Sequence, residues 1–176
     1  MIVKNIKELR EVAKPFDFKN PVVDPFVLVK ELKEAMFTHN GLGVSANQLG
    51  YDARVFAMRG ETKEDSLICF NPVIEEYSEN MNTMEEGCLS IPDVYARVVR
   101  PAEVSITFQN ELQEDKKETA DELTARVYQH EMDHLNGILF VDRIGPLART
   151  RAFEKAKKIQ KMRARGKEKF KFRYSL

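Results

Sequence analysis

The sequence predicts an α+β fold. Three observations lead there. Short strand patterns outnumber helices through the middle of the chain, a capped helix opens at Asp24-Pro25, and a second helix carries His130 and His134 four residues apart. At 176 residues a single domain with a proper core is the default, and 43% hydrophobic residues fit a globular chain.

Residues 1–24 are mixed, with Pro15, Pro21 and Asp24 as punctuation; they lack the apolar centre of a signal peptide, and no apolar run approaches membrane-span length. Asp24 caps a helix with Pro25 at its first position and Leu28, Leu32 and Met36 on its apolar stripe, ending at His39-Asn40-Gly41. His39 reads as a polar helix end. Residues 41–50, Gly41-Leu42-Gly43-Val44-Ser45-Ala46-Asn47-Gln48-Leu49-Gly50, are small and flexible, which suits either an ordinary turn or a backbone that approaches a ligand closely. Residues 54–58 read as a strand. Leu67–Phe70 and Val73–Ile74 read as two strand pieces broken by Asn71-Pro72, with Cys69 a buried, inert thiol. Residues 75–86 suggest a loop or the exposed part of a hairpin, and Tyr95–Val99 a short strand. Val104, Ile106 and Phe108 alternate as in a half-buried strand; Asn110–Lys117 reads as a charged turn. Ile138–Val141 suggests a short strand. Gly145-Pro146 opens a last helix with Phe153, Ala156, Ile159 and Met162 along its stripe.

The richest stretch is Gln129-His130-Glu131-Met132-Asp133-His134-Leu135-Asn136-Gly137. Thr119 or Asp121 can cap the helix that holds it, and Gly137 can accept the left-handed conformation that stops it. Residues i and i+4 share a helix face, so both imidazoles can point at one metal ion, with Glu131 placed to reach a water that the metal activates. Two of the chain's three histidines fall at this spacing.

A catalytic site of this kind needs a third protein ligand. In the metzincin pattern the position would be a histidine, but here it is Phe140. A thermolysin-like arrangement would need Glu154, which lies in a strongly basic segment. Of His39, Cys69 and Cys88, Cys88 is the best candidate: it has a glycine before it, lies outside any β-branched run, and offers a thiolate to a borderline cation. Two cysteines make no disulfide framework, so a reducing, cytoplasmic setting is expected.

Three stretches together resemble the motifs of the peptide deformylase family, in the family's order: residues 41–48, Glu86-Gly87-Cys88-Leu89-Ser90, and residues 129–134. Ser45 departs from the alanine usual there. The resemblance implies antiparallel β-sheets around a central metal-binding helix, with a C-terminal helix. It implies a metal-dependent hydrolase that removes the formyl group from the N-terminal formyl-methionine of new polypeptides. Cys88, His130 and His134 would hold one divalent cation, commonly Fe2+, with Zn2+, Ni2+ or Co2+ able to replace it. Glu131 would serve as general base and acid, and the Gln48 side chain and Leu89 backbone N–H would receive the charge that builds on the formyl oxygen. Gly43, Val44 and Val127 are the candidates to border the substrate methionine. Glu86 and Arg100 are expected to pair and brace the Cys88 loop.

The resemblance anchors about residues 41–143, with the stretch before Asp24 and the basic tail outside it, and residues 1–148 are expected to form the catalytic domain. Residues 149–176 form a basic helix and tail with 12 Lys and Arg against 2 Asp and Glu, whereas the rest of the chain has 16 against 26. Such a tail suits RNA phosphates, and the resemblance extends this to docking on the ribosome. Neither membrane nor DNA is expected as a partner. The rival readings are a metallopeptidase with Glu154 or His39 as third ligand, and a catalytically dead ribosome-binding module; intact Glu131 and Gln48 argue against the second.

Overall fold

The structure, a computed structural model, describes residues 2, 3 and 5–165. The end of the basic tail, 166–176, lies outside the described residues. Helix α1 (Pro25–Thr38) is followed by β1 (Gly43–Ser45), a 3-10 turn (Ala46–Leu49), β2 (Val55–Met58), β3 (Leu67–Tyr77), β4 (Met81–Cys88), β5 (Ile91–Pro101), β6 (Glu103–Gln109), β7 (Asp115–Asp121), α2 (Glu122–Leu135) and α3 (Pro146–Ala164). The strands form a five-stranded antiparallel sheet in the order β1-β2-β3-β6-β7 and a separate β4–β5 hairpin.

Side-chain alternation explains how the large sheet buries both faces. Val55, Ala57, Ile68 and Phe70 share one face and pack on Leu28, Leu32 and Met36 of α1. Phe56 and Cys69, with Ile106 and Phe108, point the other way onto Tyr128 and Leu135 of α2. Beyond α2 stands the β4–β5 hairpin, whose Ile91, Val94 and Val98 pack with Leu139, Phe140, Ala152 and Ala156. Helix α2 is therefore enclosed between the sheet and the hairpin, and all its residues from Ala125 to Leu135 are buried. The expected α+β architecture around a central helix is what the chain adopts.

Several local expectations are corrected. Asn71-Pro72 does not break the strand. Asn71 takes a positive φ of 49°, its Oδ1 accepts from the Phe16 N–H at 2.7 Å and its Nδ2 donates to the Phe16 carbonyl at 3.0 Å, so the irregularity is stitched to the N-terminal segment and β3 continues. Residues 75–86 span the end of β3 and most of β4, which belong to different sheets. The short strand expected at 95–99 is the middle of the longer β5. Residues 115–117 of the expected charged turn belong to β7, an edge strand almost wholly exposed, so its charged side chains hid the pairing with β6. Residues 138–141 form no strand. Phe140–Asp142 is a 3-10 turn, with the Asp142 carboxylate accepting from the Leu139 N–H at 3.0 Å and pairing with Arg10 at 2.9 Å. On α3 the buried residues are Ala152 and Ala156, and Met162 is exposed, because the helix lies close on β5 through small side chains. Asp24 caps α1 as expected, accepting from the Phe26 and Val27 N–H groups. Asp121 occupies the cap position of α2 without a side-chain bond.

Candidate metal centre

Cys88 ends β4 at the tip of the hairpin, where residues 89–90 turn the chain into β5. The hairpin's covalent connections to the large sheet are at its opposite end, around residues 78–80 and 102. Gly87 is required beside it, since a Cβ there would lie 2.5 Å from the Tyr95 ring. The tip brings Cys88 to α2, with Sγ 3.2 Å from His134 Nε2. One ligand atom from each of Cys88, His130 and His134 lies within 4.8 Å of the other two, all three side chains are buried, and this is the one such trio among the described residues. His39 and Glu154 are exposed and join no such cluster, and Cys69 faces the core of the large sheet. Phe140, at the metzincin position, instead stacks on the His130 ring with centroids 6.0 Å apart.

The histidine rings are aimed by what their other atoms touch. His130 Nδ1 meets Glu86 Oε2 at 3.0 Å, which leaves Nε2 facing the cluster, buried and without a protein partner among the described residues. Glu86 is itself bound by Arg100 at 2.7 and 2.9 Å, as expected from the sequence, and by Arg126 at 2.8 Å. Burial would raise the Glu86 carboxyl, but the hydrogen bonds from Arg100 and His130 outweigh it and hold the group well below the usual carboxylate range. Arg100 continues to Asp133 at 2.7 Å, and Asp133 also binds Arg143. Arg126 and Asp133 were not singled out from the sequence as members of this network. The signal was present: charged residues four before and three after His130 share its helix face.

A buried trio of one thiol and two imidazoles, with an inward-facing nitrogen that no protein group occupies, fits a borderline divalent cation. Burial pushes the Cys88 thiol up to about 12, so a cation must displace its proton. Burial likewise drives His134 well below its ordinary value, keeping it a neutral donor.

Glu131 is fully buried one residue after His130, and among the described residues neither carboxylate oxygen has a hydrogen-bond partner of ordinary geometry. Burial raises this carboxyl well above its usual range, opposed by the nearby Ser45 hydroxyl and the Arg100 charge. Gly43 lies against it, and a Cβ there would fall 2.6 Å from Glu131 Oε1. Gln48 comes from the 3-10 turn after β1. Its Oε1 accepts from the Ser45 N–H at 2.9 Å, which turns Nε2 toward Ser90 Oγ at 3.1 Å and Cys88 Sγ at 3.5 Å. Leu89 sits in the hairpin turn. Val127 borders Gly43, whereas Val44 is wholly buried in the cluster beneath α1.

Comparison with known proteins gives the family. Residues 2–150 match the family model described as polypeptide deformylase. The chain belongs to the peptide deformylase family. A relative from Rhodopseudomonas palustris is 40% identical over 166 residues, covering 90% of this chain and 94% of its own. One from Synechocystis is 42% identical over 132 residues, covering 73% and 71%. The matched part spans only 60% of a Prochlorococcus marinus relative that is 43% identical. Among solved structures, the peptide deformylase of Legionella pneumophila superimposes with a TM-score of 0.84 at 31% identity, covering 94% of this chain and 97% of that one. That of Synechococcus elongatus, in complex with actinonin, gives 0.81 at 33% identity, with 89% and 86% covered. These proteins share the mixed architecture, antiparallel sheets and C-terminal helix. The curated relatives are hydrolases of this one family.

Proposed function

We propose that the chain removes the formyl group from the N-terminal formyl-methionine of newly made polypeptides. The observation that carries this is the meeting of Cys88, His130 and His134 with the buried, unpaired carboxylate of Glu131. A divalent cation, Fe2+ or in its place Zn2+, Ni2+ or Co2+, would be held by the three ligand side chains, polarising the formyl oxygen and acidifying a water. Glu131 takes the proton of the attacking water and passes it to the leaving amine nitrogen. Burial raises this carboxyl, which makes its carboxylate a stronger base toward that proton. Gln48 Nε2 and the Leu89 backbone N–H receive the negative charge on the formyl oxygen, each such donor contributing on the order of 10²–10³ in rate. Gly43 and Val127 border the substrate beside Glu131, with Val44 behind them in the core.

On this reading residues 1–148 are the catalytic domain. The basic residues of α3 and the tail favour contact with ribosomal RNA near the emerging peptide, and the enzyme works in the cytoplasm. No helix among the described residues is long and apolar enough to cross a membrane.

The test is hydrolysis of formyl-Met-Ala under anaerobic conditions with added Fe2+. Activity that a chelator removes, and that Cys88→Ser loses together with the metal, is the expected result. A Cys88→Ser protein that keeps its metal and cleaves ordinary peptide bonds points instead to a peptidase. Removal of residues 165–176 should weaken ribosome binding and leave formyl-Met-Ala turnover unchanged.

A further inference from the structure

We infer that Arg126 is a positioning residue for the metal site, fixing the hairpin that carries Cys88 against the helix that carries both histidines. The inference rests on the deformylase reading only for the identity of the three ligands.

Arg126 is among the largest fully buried side chains. From α2 it reaches both strands of the hairpin. Its Nη1 donates to Glu86 Oε1 on β4 at 2.8 Å and to the Val98 carbonyl on β5 at 3.0 Å, and its Nη2 donates to the Asn82 carbonyl at 3.1 Å and to the Asn82 side chain. Glu86 thereby has four donors: Arg100 Nε and Arg126 Nη1 on Oε1, Arg100 Nη2 and His130 Nδ1 on Oε2. A carboxylate bound on all sides cannot rotate, so the His130 ring that leans on it is fixed too.

Arg100 alone does not do this. Its Nη1 is given to Asp133, so its charge is divided between two buried carboxylates. Among the described residues Arg126 has no other carboxylate partner than Glu86, and it supplies the remaining compensation in a place where an unbalanced buried charge is costly. Arg100 also belongs to the hairpin itself, so its bonds to Glu86 stay within β4–β5. Arg126 and His130 are the groups through which the Glu86 carboxylate holds onto α2. Without Arg126, the hairpin and α2 would stay joined by Arg100–Asp133 and by the Gln129 bond to the Pro101 carbonyl, but the Glu86 carboxylate beside Cys88 would hold onto α2 through His130 alone.

The test uses Co2+ as probe on the full chain, titrated against a chromophoric chelator well below the thermal midpoint of each variant. The order expected is wild type, then Arg126→Lys, then Arg126→Gln. The glutamine variant should bind Co2+ about 10–100-fold more weakly, the range found when partners of metal-bound histidines are removed. The lysine variant keeps the charge beside Glu86 and recovers part of the loss. Folded Arg126→Gln protein that holds Co2+ as tightly as wild type overturns the proposal. Should that variant not fold, the lysine variant decides: one ammonium cannot serve Glu86 and both strands at once, so a several-fold loss is required and wild-type affinity overturns the idea. Failure of the wild type itself to bind Co2+ through Cys88 would refute the ligand assignment, which is a separate result.

Discussion

Replacing Gly43 by alanine puts one methyl group against the proton-transferring carboxylate. A Cβ at Gly43 would lie 2.6 Å from Glu131 Oε1, 2.9 Å from Val127 Cγ1 and 3.0 Å from Glu131 Cδ. Ordinary contact for such atoms is about 3.5 Å, so the carboxylate must retreat by roughly 0.9 Å. Helix α2 cannot retreat with it, because its buried face is packed on Phe56, Ile106 and Phe108 and tied to the hairpin through Arg126 and His130. The Glu131 side chain must therefore rotate, on the proposed mechanism away from the water it would serve. A misplacement near 1 Å at a reacting group costs on the order of 10² in rate, and overpacking of this kind costs about 1–3 kcal/mol of stability. For a domain of this size that lowers the melting temperature by about 2–12 °C. The clash lies with Glu131 and Val127, so metal content should remain that of the wild type. Steady-state hydrolysis of formyl-Met-Ala, metal analysis and thermal denaturation of the same sample measure all three. Fully metallated Gly43→Ala protein with kcat within twofold of wild type would refute the argument that Glu131 needs this glycine.

Two further outcomes follow from the same geometry. The Cys88 thiol, pushed up to about 12 by burial, is protonated at neutral pH in the metal-free protein, so cation binding should release one proton and tighten about tenfold per pH unit as pH rises; calorimetry in buffers of different ionisation enthalpy counts the proton, and a pH-independent affinity contradicts the thiol assignment. Asp24→Ala removes the acceptor of the Phe26 and Val27 N–H bonds at 2.9 and 3.1 Å, and should cost about 0.5–2 kcal/mol in urea denaturation while leaving turnover intact.

The meeting of the candidate ligands was legible in the sequence because helical spacing alone places His130 and His134 on one face with Glu131 between them, and Cys88 stood out by the exclusion of other ligands. The Glu86–Arg100 pair was legible from opposite charges on neighbouring segments, and the structure shows it. Arg126 shares the His130 face by its spacing, but a lone arginine in a helix usually lies at the surface, and only the position of the hairpin reveals that it is enclosed. Strand β7 escaped for the opposite reason: an edge strand with charged side chains on both faces has no period to detect. The apolar run Leu139-Phe140-Val141 is buried as expected, but burial does not separate a strand from a 3-10 turn, and the choice was made by Asp142 and Arg10, which are distant in sequence.

Because Cys88 occupies the turn end of a two-stranded arm whose covalent anchorage to the large sheet is some eight residues back along β4 and some eleven along β5, its sulfur reaches the histidines only through the packing and hydrogen bonds of that tip. On the reading that Cys88, His130 and His134 hold one cation, that ion would join the tip of the arm to α2, so metal retention and seating of the arm would be one equilibrium. Demetallation would then lower stability as well as activity.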